Sequence, residues 1–265
     1  MLTALQVELE AVADGALPVG NALYIHGLFF RLLQEVNINI SDYLHNVQSI
    51  KPYTLSTLQG VKQNKGWCSV CQGKKYRFRA TFMQEEVFLN FYEVVYSYYV
   101  NKKTVKIGNI DFLVSKIDLE RTNKFEDLIG NEVNLQKFEI DFLSPTNFRV
   151  NGIQHIFPDS HTVFKSYKNR WNTFCPNHLI FPEHDLSLIY DGCYSVRYNL
   201  HTEIIEMGKY KMVGFKGTCR YEINPKLSGE LRDRASGLLK FARYCGTGYK
   251  TTMGLGQTKV SFMIK

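Results

Sequence analysis

The densest cluster of residues suited to chemistry lies near the C-terminus, in YCGTGYKTTMGLGQTKV (244–260). Gly246, Gly248, Gly254 and Gly256 fall in two pairs with Lys250 between them. Successive backbone N–H groups in turn conformations make concave anion sites, and a lysine adds charge to one. A nucleotide cofactor is disfavoured. Phosphate loops of that kind sit between a strand and the helix that follows, where free N–H groups face the anion. Here the glycines follow a helical pattern and precede a strand, and neither G-x-x-x-x-G-K-[ST] nor G-x-G-x-x-G is present. The plainer alternative is a helix C-cap at Gly246 with a turn and a bulge at Gly254 and Gly256. That accounts for one or two glycines better than for four.

Histidine supplies the second kind of chemistry, because its unperturbed pKa of about 6.5 suits both proton donation and acceptance. His26 and Gly27 interrupt the otherwise apolar LYIHGLFF, with Tyr24 close by. His26 is costly to pack there unless it has a use, although a buried histidine satisfied by a carbonyl is the simpler reading. His45 lies in DYLHN, and Lys51 follows six residues on. His155, His161, His178, His184 and His201 read as loop or turn residues. Cys68 and Cys71 form a lone C-x-x-C with no second ligand pair. A structural zinc site needs four ligands, so two free thiols and no metal are expected.

The elements that must position these groups follow from hydrophobic periodicity. Leu5, Val7 and Leu9 alternate with polar neighbours, as in a half-buried strand. Ala22, Ile25, Phe29, Leu32 and Val36 recur at helical spacing over 19–36, with Pro18 near the first turn. Strands are expected at 75–83, 104–107, 111–119 and 134–142, with a helix over 84–99. The first half thus reads β-α-β-β-α-β, the ferredoxin-like order. The second half offers a helix at 161–173, strands at 187–200 and 205–221, a helix at 227–244 and a strand at 257–264, a similar order. The expected fold is α+β, two tandem ferredoxin-like domains, at 1–143 and 144–265.

The bulk properties agree. The 265-residue chain is 45% hydrophobic and 22% charged, enough for two cored domains. A net charge of +7 favours anionic partners. No apolar run is long enough to cross a bilayer. The N-terminus does not read as a secretory signal, so a cytoplasmic protein with reduced thiols and no membrane association is expected.

With these pieces in place, the chain resembles the CRISPR repeat-processing endoribonucleases of the RAMP superfamily. The similarity is carried by GTGYKTTMGLGQTKV, by IDFLSPTNFRVNG (140–152), by KSYKNRWNTF (165–174) and by YLHNVQSIKPYTLSTLQG (43–60). It implies two ferredoxin-like domains with the glycine-rich loop in the second, and metal-independent, cofactor-free cleavage of CRISPR repeat RNA. The products would be a 2′,3′-cyclic phosphate and a 5′-hydroxyl.

Such cleavage needs one group to take the 2′-OH proton, another to protonate the departing 5′ oxygen, and positive charge near the phosphorane. The resemblance places His45, and Lys51 after it, where members carry a catalytic histidine and lysine. It also brings in His26 and Tyr24 from the first helix. It implies RNA contacts at Gly246, Gly248, Lys250, Gly254 and Gly256 and on basic surface at Lys165, Lys168 and Arg170. Lys209, Lys211, Lys216, Arg232, Arg234, Lys240 and Arg243 are further cationic candidates. Phe148, Tyr167, Trp171 and Tyr249 are candidate stacking platforms. The partner would be repeat RNA, with CRISPR effector-complex subunits as further candidates and a monomeric or homodimeric protein. The competing reading is a non-catalytic RNA-binding subunit of such a complex.

Overall fold

A computed structural model describes residues 1–64, 66–130, 135–208 and 210–263. The chain folds into two compact units. The first is Met1–Thr122 with Thr252–Gly254, and the second is Asn123–Thr251 with Leu255–Lys265.

The first unit runs β1 (Leu2–Ala11), β2 (Gly15–Pro18), α1 (Ala22–Val36), α2 (Ile38–Asn46), β3 (Tyr53–Leu55), β4 (Lys62–Asn64), β5 (Trp67–Val70), β6 (Lys75–Phe82), α3 (Glu85–Val100), β7 (Thr104–Ile107) and β8 (Ile110–Asn123). Its main sheet has the order β3-β6-β1-β8-β7. Without the edge strand β7, that is the ferredoxin-like order of a βαββαβ unit. The alternation in β1 has a simple cause. Leu5, Val7 and Leu9 are buried, while Gln6, Glu8 and Glu10 stand opposite Arg79, Arg77 and Lys75 of β6 on the other face. Opposite charges across a strand pair stabilise the register. Between sheet and helices, Phe29 of α1 stacks on Tyr53 (4.4 Å between ring centres) and packs near Phe91 of α3 (4.9 Å).

Three features of this unit were not expected. The nine-residue helix α2 starts where the Asn37 side chain accepts from the Ile40 N–H. Strands β2, β5 and β4 form a separate three-stranded sheet in that order. Its inner residues Leu17, Cys68 and Val70 join the core. Asn21, fully buried at the start of α1, makes no side-chain cap to its own helix. Its carbonyl oxygen accepts from the Leu58 N–H (2.9 Å), and its amide faces the Cys68 sulfur (3.9 Å).

The second unit runs β9 (Lys137–Thr146), β10 (Phe148–Val150), β11 (Ile153–His155), α4 (Ser160–Phe174), α5 (Glu183–Asp191), β12 (Cys193–Met207), β13 (Tyr210–Ile223), α6 (Gly229–Cys245) and β14 (Thr258–Met263). Its sheet order, β12-β13-β9-β14, repeats the ferredoxin-like arrangement. The expected domain limit at 143/144 falls inside β9, which pairs with β13 and β14. The strand expected over 187–200 is corrected: α5 ends at Asp191 and the strand begins at Cys193. Pro182 followed by Glu183 and Asp185 is a helix start, since acidic side chains suit the positive N-terminal end. Leu186 and Ile189 are the buried pair one turn apart. Residues 134 and 264 of the expected strands lie outside the described residues.

Candidate functional site

α1 and α2 bring the two N-terminal histidines to one aromatic ring. His26 and Phe30 are four residues apart on α1, one helical turn, so their rings meet at 4.9 Å. His45 sits in the last turn of α2 and meets the same Phe30 ring edge-on at 5.9 Å. The two imidazoles therefore contact one side chain. His45 is exposed and His26 half-buried.

Two more residues complete the arrangement. The Tyr53 hydroxyl lies 3.5 Å from Nε2 of His26. Tyr53 is 0% exposed, and burial pushes its phenol well above the usual tyrosine range, so it stays protonated. Lys51 donates to the carbonyl of Leu44 and to that of His45 (3.2 Å). Cations at a helix C-terminus satisfy its last carbonyls, so Lys51 fixes the turn that carries His45. Burial lowers the Lys51 pKa. Tyr24 is 39% exposed, and its ring lies against Gly108.

Phe30 and Tyr53 escaped the sequence reading. Phe30 could have been found from its one-turn spacing to His26. Tyr53 could not, since its contact with His26 joins residues 27 apart.

The glycine-rich loop answers a different demand. All four glycines have positive φ, between 64° and 80°. A methyl group on Gly248 would sit 2.1 Å from the Asn147 carbonyl oxygen, and one on Gly256 would sit 2.0 Å from that of Thr247. What crowds these two positions is the protein's own backbone. The loop is laced by Thr247 N–H to Gly256 O (2.8 Å), Gly256 N–H to Pro145 O (3.1 Å) and Tyr249 N–H to Asn147 O (2.7 Å). The buried Tyr167 hydroxyl meets Thr247 Oγ1 at 2.7 Å. In the first unit, the Gly254 N–H donates to the Leu55 carbonyl (3.1 Å).

The basic candidates divide by use. Arg170 donates to the Ser166 hydroxyl (2.8 Å) and to the Gly248 carbonyl, so it braces the loop from inside. Lys168 pairs with Glu183, whereas Lys165 is exposed. Lys250 lies over the rings of Tyr210 (5.3 Å) and Tyr249 (5.5 Å). Lys211 and Lys216 pair with Glu206 and Glu203, and Arg234 with Asp185 and Glu230. Arg232 donates to the carbonyls of Leu227 and Pro225. Lys240 and Arg243 lie on α6. Lys209 lies outside the described residues.

Three candidate platforms are corrected. Trp171 (0% exposed), Tyr167 and Phe148 are core residues. Trp171 packs between Phe125, Phe181 and Phe241 and donates its indole N–H to the Leu179 carbonyl (2.8 Å). Tyr249 stays at the surface, with Arg149 over its ring. The Cys68 thiol is buried, which raises its pKa. Among the described residues no group of three or more His, Cys, Asp or Glu is placed to hold a metal ion. No described helix is long and apolar enough to cross a membrane.

Comparison with known proteins places this architecture. A solved Cas6 product complex superposes with a TM-score of 0.79 at 23% identity, covering 98% of this chain and 100% of that one. The likeness fixes the fold class, an α+β protein with two ferredoxin-like folds in tandem. Two family models match the sequence. CRISPR-associated protein Cas6, N-terminal, matches residues 16–118, and CRISPR-associated endoribonuclease Cas6 matches residues 140–258. The Cas6 endoribonuclease of Streptococcus thermophilus is 24% identical over 242 residues, 90% of each chain. That of Mycobacterium tuberculosis is 27% identical over 262 residues, 97% of this chain and 76% of the relative. The chain belongs to the Cas6 family of CRISPR-associated endoribonucleases.

Proposed function

We propose that this protein cleaves CRISPR repeat RNA by attack of a ribose 2′-hydroxyl on its own phosphodiester, without a metal. The products are a 2′,3′-cyclic phosphate and a 5′-hydroxyl. The observation that carries the reading is the pair of imidazoles, His26 and His45, that both contact Phe30.

One imidazole takes the 2′-OH proton as the O2′–P bond forms. The other gives a proton to O5′ as the P–O5′ bond breaks, so no external nucleophile enters. The Tyr53 phenol, which stays protonated, accepts from Nε2–H of His26 and leaves Nδ1 as the nitrogen that takes or gives the proton. Lys51, next to the turn of His45, stabilises phosphate charge and holds that turn, and Tyr24 lines the approach. The RNA is held at Lys165 and Lys250 and over the loop shaped by Gly246, Gly248, Gly254 and Gly256, which are themselves buried. Arg170 acts from beneath by holding Gly248. Lys168 contributes only if Glu183 releases it.

The test is single-turnover cleavage, in excess EDTA, of the repeat RNA transcribed from the source genome's CRISPR array. A matched RNA carries a 2′-deoxy residue at the cut site. Cleavage of the first and none of the second is expected, with the phosphate recovered as a cyclic ester. Equal cleavage of both overturns the mechanism. Tight binding with no cleavage would point instead to an RNA-holding subunit.

A further inference from the structure

The chain's excess of positive charge falls within one segment of the sequence. Residues 43–84 contain seven Lys and Arg (Lys51, Lys62, Lys65, Lys74, Lys75, Arg77 and Arg79) and no Asp or Glu. The whole chain's formal charge is +7, so all other residues together sum to zero. Strands β4 and β5, in the middle of this segment, form the three-stranded sheet with β2. Its inner face enters the core through Leu17, Cys68 and Val70. Its outer face carries Ala16, Pro18, Lys62, Asn64, Trp67 and Ser69, with no acidic side chain among them.

Trp67 dominates that face. It is one of two tryptophans in the chain and is 56% exposed, while the other, Trp171, is 0% exposed. It sits on the central strand between Pro18 and Asn64, its cross-strand partners. An indole in the middle of a sheet face, beside small and polar neighbours, is a flat and accessible surface. Lys62 lies one pair along, opposite Ser69. Acidic side chains do occur nearby on other elements. Glu8 pairs with Lys75, Glu120 with Arg79, and Asp14 accepts from the Gln72 N–H. Lys62 and Lys74 make no ion pair among the described residues.

We propose that Trp67 is a stacking platform for an unpaired base of the RNA substrate, with Lys62 beside it at the phosphate backbone. Aromatic faces with adjacent cations are how single-stranded nucleic acid is bound without a groove, since every base offers a π-face. The local charge favours a polyanion as partner, because the face that carries Trp67 and Lys62 holds no acidic side chain and Lys62 makes no ion pair among the described residues. The strand of the platform also touches the helix that carries His26. Cys68, the next residue, faces the Asn21 amide at the start of α1, and His26 lies five residues further along that helix. A base held on Trp67 would thus register the strand against His26. This inference rests on the repeat-RNA reading above.

The experiment labels the intact protein with 5-fluorotryptophan, which gives two ¹⁹F resonances, assigned with Trp67→Ala. Repeat RNA with a 2′-deoxy residue at the cut site is then titrated in. The Trp67 resonance is expected to move and that of Trp171 to stay. Trp67→Ala is expected to weaken binding about 5- to 150-fold, the measured range for one stacked base, and Trp67→Phe to recover most of it. A scan of abasic sites along the RNA identifies the base as the one whose loss is not additive with Trp67→Ala. RNA that binds with the Trp67 resonance unmoved and with Trp67→Ala within twofold of the parent overturns the platform and leaves the repeat-RNA reading intact. Absence of RNA binding by the parent protein defeats both. A Trp67 resonance that moves with protein concentration alone assigns the face to a second copy of the chain and likewise overturns the proposal.

Discussion

The two units share a strand order and spend their polar residues differently. In the first, His45 and Trp67 are exposed, His26 is half-buried, and Tyr53 is sealed in the core behind it. In the second, Tyr167, Thr247, Arg170, Ser166 and Asn147 are turned inward to hold the backbone of one loop. One copy of the fold thus presents side chains, and the other builds a shaped main chain. Gly246, Gly248 and Gly256 belong to the second strategy. A glycine cluster need not mean that a ligand approaches, because here Asn147 and Thr247 of the same unit fill the space.

The sharpest way to break this contrast is to delete the presented side chains. His26→Ala and His45→Ala should each slow single-turnover cleavage by about 10²–10⁴-fold, the usual contribution of an acid or base, while RNA affinity and melting temperature stay near the parent values. Cleavage within a few fold of the parent by both variants would remove the imidazoles from the mechanism.

Next in size is a pair of glycine replacements. Gly248→Ala forces a methyl into the Asn147 carbonyl at a φ of 80°. It should cost roughly 2–4 kcal/mol, from strain and overpacking together. Gly27→Ala on α1 meets nothing within 4 Å and should stabilise by about 0.5–1 kcal/mol. Chemical denaturation reads both, and equal effects would erase the distinction between the loop and the helix. Tyr167→Phe should cost about 1–2 kcal/mol by stranding a buried polar contact to Thr247.

The smallest effect expected is a pH dependence in the second unit. Asp159 caps α4, accepting from the Thr162 N–H (2.9 Å) and hydroxyl (2.8 Å) and lying 2.8 Å from His155. Burial raises its pKa, and these bonds more than reverse that, leaving it below the ordinary aspartate value. The stability it contributes is therefore complete above the unfolded-state pKa and is lost as pH falls through the folded one. Asp159→Asn should flatten the acid limb of a stability-versus-pH curve, and an unchanged limb would show that the carboxylate is not held low.

How much of this was legible depended on range. The helices α1, α3, α4 and α6 were readable because each buries a long stripe at helical spacing, as Ile25, Phe29 and Leu32 do. The short pieces were not. α2 has three buried residues, and β4 has three residues, all exposed. Over such lengths periodicity carries too little signal. The histidines could be nominated from residue type and resemblance, yet what joins them is Phe30, and what braces His26 is a tyrosine beyond the next helix. Trp171 shows the opposite failure: its aromatic type suggested a surface platform, but only the fold decides that Phe125, Phe181 and Phe241 enclose it.

The buried amide of Asn21 has a consequence for the order of assembly. Its partners, Leu58 and Cys68, lie 37 and 47 residues downstream, so the start of the helix bearing His26 cannot be finished by local winding. It must wait for two long loop closures, which are entropically slow. During synthesis that end of the helix settles only after the strand of Cys68, 47 residues behind Asn21, has left the ribosome.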